Sequence, residues 1–103
     1  MSTTPESAPQ GQQLDPALFA CVNEYLEVTN RQARQQGDKR VSFAVLYAAA
    51  RYNSHAFLGI AASPQTEREE FVAYMTDLYR RALEENLSNL INERAATGPS
   101  QAE

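Results

Sequence analysis

The sequence has no tryptophan, one cysteine, one histidine and four glycines. One cysteine excludes an internal disulfide, and one cysteine with one histidine cannot furnish the ligand set of a zinc site. No glycine-rich phosphate loop and no long apolar run occurs, so neither a nucleotide-binding loop nor a membrane span is expected. Excess positive charge is absent too. Lys+Arg number 9 against 13 Asp+Glu, a formal net charge of −4, so the chain lacks the field that draws a protein onto nucleic acid or an anionic membrane. What remains is 103 residues that are 43% hydrophobic and 21% charged, enough for one domain of ordinary globular composition.

The ends differ from the middle. Residues 1–13 are rich in Ser, Thr, Pro and Gln with almost nothing apolar, too little to offset the entropy of ordering, and lack the basic start and apolar centre of a signal peptide. Residues 97–103 read the same way. A disordered tail at each end and one helical domain over 14–96 are therefore expected. Within it, apolar residues recur in steps of three and four. A first helix opens at Asp15-Pro16, an N-cap followed by a residue that loses no hydrogen bond there, and ends near Gln36 with Gly37 as its cap. Its stripe is Leu18, Val22, Tyr25, Leu26, Thr29 and Ala33. A second helix is expected after Ser42, running to about Ala62, with Phe43, Leu46, Tyr47, Ala50, Ser54, Phe57 and Ala61 on one face. A third begins at Ser63-Pro64 or at Thr66, where Thr66 to Glu69 fits a capping box, and continues to about Ala96. The predicted fold class is all-α, an antiparallel three-helix bundle with a long C-terminal helix. Its core is expected to comprise Leu18, Val22, Leu26, Phe43, Leu46, Tyr47, Ala50, Phe57, Phe71, Met75, Leu78 and Ala82.

Two stretches carry a resemblance. Val41-Ser42 precedes Leu46-Tyr47-Ala48-Ala49-Ala50-Arg51-Tyr52-Asn53, and Tyr79-Arg80-Arg81-Ala82-Leu83-Glu84-Glu85-Asn86-Leu87 follows in the third helix. With Asn30, they resemble a family of small bacterial helical proteins catalogued as domain of unknown function number 3144, over roughly Phe19 to Ile91. That resemblance implies a helical fold and brings no activity with it.

No catalytic constellation stands out. His55 points away from the second helix's core stripe and Cys21 sits at the edge of the first helix's stripe, so they read as a solvated imidazole and a small thiol. The adjacent acids Glu69-Glu70 and Glu84-Glu85 point about 100° apart and do not converge on one proton. The spacings Asp77 to Arg81, Arg80 to Glu84 and Arg81 to Glu85 read as exposed helical ion pairs. Arg31, Arg34, Lys39 and Arg40 form a basic cluster, but Glu24, Glu27 and Asp38 lie close and no aromatic platform is interleaved, so nucleic-acid binding is not expected. No cofactor or metal is expected either.

Two features point to function. Arg51 and Asn53 flank the core stripe of the second helix. An Arg there either hydrogen-bonds across a helix seam, to Asn30 or a Glu, or forms with Asn53 and Asn30 a small anion-binding site. The second feature is apolar surplus. Opposite the core stripe lie Val45, Ala49, Tyr52, Ala56 and Gly59, with no charge among them, and a helix apolar all round is normally covered all round. In the third helix Phe71, Met75, Tyr79, Leu83, Leu87 and Ile91 advance about 40° per step, so the late residues Leu83, Leu87, Leu90 and Ile91 cannot face what the early ones face. Both surfaces suit a second subunit or another protein, and the late face of the third helix alternatively takes the loop around Gly37 to Val41, folded back as a lid. A cytoplasmic, non-enzymatic interaction module, most simply a homodimer, is the function expected from these features.

Overall fold

The computed structural model describes residues 15–97, which are all-α: α1 is Pro16–Gln36, α2 is Asp38–Ile60 and α3 is Pro64–Thr97, and no strand occurs among the described residues. The described residues divide into two units, 15–68 and 69–97. The tails expected at 1–13 and beyond 97 lie outside the described residues, and Thr97 itself belongs to α3 rather than to a tail.

In the first unit, α1 starts as its sequence dictates. Asp15 Oδ1 accepts from the Leu18 N–H at 2.9 Å, and Pro16 follows at the first helical position. Its half-buried side chains Val22, Thr29 and Ala33 fall on one line, the centre of the expected stripe. α1 ends at Gly37, whose N–H donates to Ala33 O at 2.9 Å. Gly37 takes φ +94° and ψ 150°, which is not the left-handed helical cap expected but an extended positive-φ region that only glycine occupies without strain.

That conformation makes a one-residue corner. The second helix was expected after Ser42, yet α2 begins at Asp38, and Gly37 O already accepts from the Val41 N–H at 3.3 Å. Asp38 brings a negative charge to the first turn, where the helix dipole favours it, so a helix can start there without a side-chain cap. Ser42 is an interior, exposed residue. α1 and α2 pack against one another, and Val41, 6% exposed, is the one buried side chain among the described residues. At 100° per residue Val41 lies about 160° around α2 from Phe43. The covered side at the corner is thus nearly opposite the expected core stripe.

This corrects the expected core. Phe43 (65% exposed), Leu46, Tyr47, Leu18 and Leu26 are exposed, as are Ala50, Leu78 and Ala82, while Val22, Phe57, Phe71 and Met75 are half-buried. The apolar stripes exist at the expected spacing. Periodicity identifies a stripe, but only packing says whether it is covered.

α2 closes at Ala61, whose N–H donates to Phe57 O. At the start of α3, Ser63 O accepts from the N–H groups of Thr66 and Glu67 at 3.1 and 3.0 Å, and the Ser63 N–H donates to the Glu67 carboxylate at 2.9 Å. The reciprocal acid of this cap is therefore Glu67, not Glu69, because the helix starts at Pro64 rather than after Thr66. α3 spans 34 residues, roughly 51 Å.

The part of α3 in the second unit is held by contacts within itself. Asp77 accepts from Arg80 at 2.7 Å and from Arg81 at 2.9 Å, and Arg80 also reaches Glu84 at 3.1 Å. The expected Arg81–Glu85 pair does not form, since Asp77 holds Arg81 from the preceding turn. Arg80, assisted by Arg81, holds the Asp77 carboxyl below the usual carboxylate range, and Asp77 in turn raises the Arg80 guanidinium. Asn86 Nδ2 donates to Ala82 O at 2.8 Å, so it too is satisfied within its own helix.

Candidate functional site

The surface of α2 is the most informative one. Beyond the corner, where Val41 on the same side is buried, its expected outer face is uncovered: Val45, Ala49, Tyr52 (70% exposed), Ala56 and Gly59 are all exposed. A methyl group placed on Gly59 would meet nothing within 4 Å. No closely packed neighbour therefore demands glycine there. The other side of the same helix is uncovered as well. The Phe43 and Tyr47 rings stack at 6.3 Å between centroids and 24° between planes, one turn apart, and both face solvent. Leu58 continues this side toward the end of the helix, and Ile60 (84% exposed), about 160° around from it, is uncovered too.

Sequence reasoning missed Phe43, Tyr47, Leu58 and Ile60 as surface residues. It assigned the first two to the core and gave the last two no role. A signal was present. α2 carries one formal charge, Arg51, after Arg40, and so has no hydrophilic side to mark which half faces water.

The late part of α3 is uncovered too. Leu83, Leu87, Leu90 and Ile91 are exposed and lie on one broad face, with the Asp77–Arg80–Glu84 ladder beside it. Earlier on α3, Val72, Tyr74 and Tyr79 are exposed as well.

The polar candidates are less organised. Arg51 and Asn30 are exposed and Asn53 is half-buried. No side-chain hydrogen bond or ion pair joins them to each other or to another described residue, so the structure does not assemble them into one site. The seam partner that a half-buried Arg51 would need is not required, because its guanidinium reaches water directly. Cys21 and His55 are both exposed. Among the described residues, no group of three or more His, Cys, Asp or Glu could hold a metal ion, and no helix is long and apolar enough to cross a membrane.

The geometry is thus that of helix faces whose apolar side chains stand exposed. No curated protein and no solved structure matches the chain. A family model does match, that of a protein of unknown function (DUF3144), over residues 18–91, which span both Arg51 and the late apolar face of α3. The chain belongs to the DUF3144 family.

Proposed function

We propose that this protein is a non-enzymatic helical interaction module of the bacterial cytoplasm that works as a homodimer, its three helices acting as one domain. One observation carries the reading. Among the described residues one side chain is buried, while large hydrophobics from Leu18 to Ile91 stand exposed on all three helices. Soluble monomers rarely leave contiguous apolar surface of that extent open. Two surfaces ask for cover: the α2 face of Val45, Ala49, Tyr52, Ala56 and Gly59, and the α3 face of Leu83, Leu87, Leu90 and Ile91. Small residues on the first allow another helix close approach, with Tyr52 as an amphipathic anchor. A second copy meets the demand most simply, since two-fold pairing is the commonest assembly.

Equilibrium sedimentation tests this. Wild type is expected to be dimeric, and Leu87→Glu with Ile91→Glu is expected to leave a helical monomer. A wild type that stays monomeric at high micromolar concentration overturns the reading.

One observation favours a second reading, a regulatory protein binding a small anion. The Arg51 guanidinium has no acidic partner among the described residues and so is free to take an anion, with Asn53 and Asn30 as candidate neighbours. A ligand-induced rise in melting temperature that Arg51→Met abolishes would support it.

A further inference from the structure

The outward side of α1 carries a charge pattern that the apolar faces do not explain. Glu24, Glu27, Arg31 and Arg34 all lie within an arc of about 80° and are all exposed. That arc is opposite the half-buried line of Val22, Thr29 and Ala33. Apart from Pro16 and Ala20, no other residue of α1 falls in it, so nothing bulky stands out from it. Glu27 and Arg31 are four apart, the spacing at which Asp77 and Arg81 close to 2.9 Å in α3. Yet neither these two nor Glu24 and Arg34 form an ion pair among the described residues.

The order of the charges is the second observation. Two acids precede two bases, and the set is symmetric about position 29: residues 24 and 34 lie five positions to either side, 27 and 31 two. A strip of this kind is complementary to a reversed copy of itself. Laid antiparallel across a second α1 at the level of Thr29, Glu24 meets Arg34 of the partner subunit and Glu27 meets Arg31 of the partner subunit. The symmetry repeats both pairs, giving four. Laid parallel in register, the same strip sets acid on acid and base on base.

We propose that the outward face of α1 is a self-recognition strip that pairs antiparallel with α1 of a second copy, centred at the level of Thr29. This rests on the self-association proposed above and adds its direction. The charges select orientation and partner, as they commonly do at interfaces. The Pro16 end of each α1 lies far from that of its partner.

The test has three arms, each read by sedimentation or by spin-label distance. First, exposed ion pairs are screened by salt and are individually weak, so wild-type dissociation should strengthen about tenfold between low and high salt. Second, Glu24→Arg with Glu27→Arg makes the strip wholly basic, and Arg31→Glu with Arg34→Glu makes it wholly acidic. Each variant alone should dimerise about tenfold more weakly or worse, and an equimolar mixture should recover wild-type affinity. All four positions are exposed, and circular dichroism checks that helicity is kept. Third, a nitroxide at Ala17→Cys in a Cys21→Ser background lies 12 positions from residue 29. Antiparallel pairing therefore separates the two labels by about 36 Å along the axis, and parallel pairing brings them side by side.

A dimer that ignores salt and both charge reversals overturns the strip while leaving self-association intact. A short label distance overturns the direction. A wild type that is monomeric at every salt concentration removes the self-association reading and the strip with it.

Discussion

The corner at Gly37 and the late half of α3 are built from the same materials and finished to different degrees. At the corner, the Gly37 N–H and the Val41 N–H both find carbonyl partners, one glycine absorbs the turn, and Val41 is buried. Late α3 has its backbone satisfied by its own helix and an ion ladder through Asp77, Arg80 and Glu84, yet Leu83, Leu87, Leu90 and Ile91 stay open. Hydrogen bonding and charge pairing are short-range and can be completed within one or two turns. Apolar burial requires a surface brought from elsewhere. The difference separates what the helices settle for themselves from what they leave open.

The largest expected effect is on the proposed dimer. Tyr52→Glu with Ala56→Glu should raise the dissociation constant of the dimer by about a hundredfold or more, since two charges would be buried without partners at the interface. The helical content should be unchanged. If sedimentation shows the variant as dimeric as wild type, α2 does not belong to the interface and the α3 face alone remains. Next is the corner. Val41→Ala should cost about 2–3 kcal/mol in a denaturant titration, because this is the one buried side chain of the described residues. Gly37→Ala should cost about 1–2 kcal/mol through backbone strain alone, since an added Cβ meets nothing within 4 Å but φ stays at +94°. A neutral Gly37→Ala would show that the corner relaxes to another conformation. Asp15→Ala should cost about 1 kcal/mol by removing the acceptor for the Leu18 N–H.

The smallest effect is a pH dependence in α3. The Asp77 carboxyl is depressed in the folded chain by Arg80, with Arg81 assisting. Its contribution is present above the ordinary carboxylate value of about 3.9 and is lost as pH falls through the lower folded value. Helicity followed by circular dichroism should therefore drop slightly more on acidification in wild type than in Asp77→Asn. Identical acid profiles for the two would mean that the ladder contributes nothing to the helix.

Much of the fold was legible in the sequence, for reasons that are local. The Asp15-Pro16 start and the Gly37 stop of α1 are encoded within a few residues each. So is the presence of a long third helix. The start of α2 was misplaced by five residues, because Ser42 is a good cap in isolation and the competing solution, a glycine corner that starts the helix at Asp38, depends on Gly37 reaching φ +94°. The orientation of α2 was not legible. Phe43 and Val45 lie on opposite sides of a helix with almost no charge, and nothing in a single sequence ranks two apolar sides. The same ambiguity makes the site readable as a surface and unreadable as an inside and an outside. The charges of α1 were read as a basic cluster, Arg31 and Arg34 with Lys39 and Arg40, that Glu24 and Glu27 offset, and not as one strip.

The central claim is that the exposed apolar faces are covered by a second copy of the chain. Its most direct test is the concentration dependence of thermal unfolding, because a folded dimer that melts to monomers gains stability by mass action. The melting temperature should climb by several degrees between about 10 µM and about 1 mM, and Leu87→Glu with Ile91→Glu should abolish the climb. A melting temperature that stays constant over that range would contradict the account.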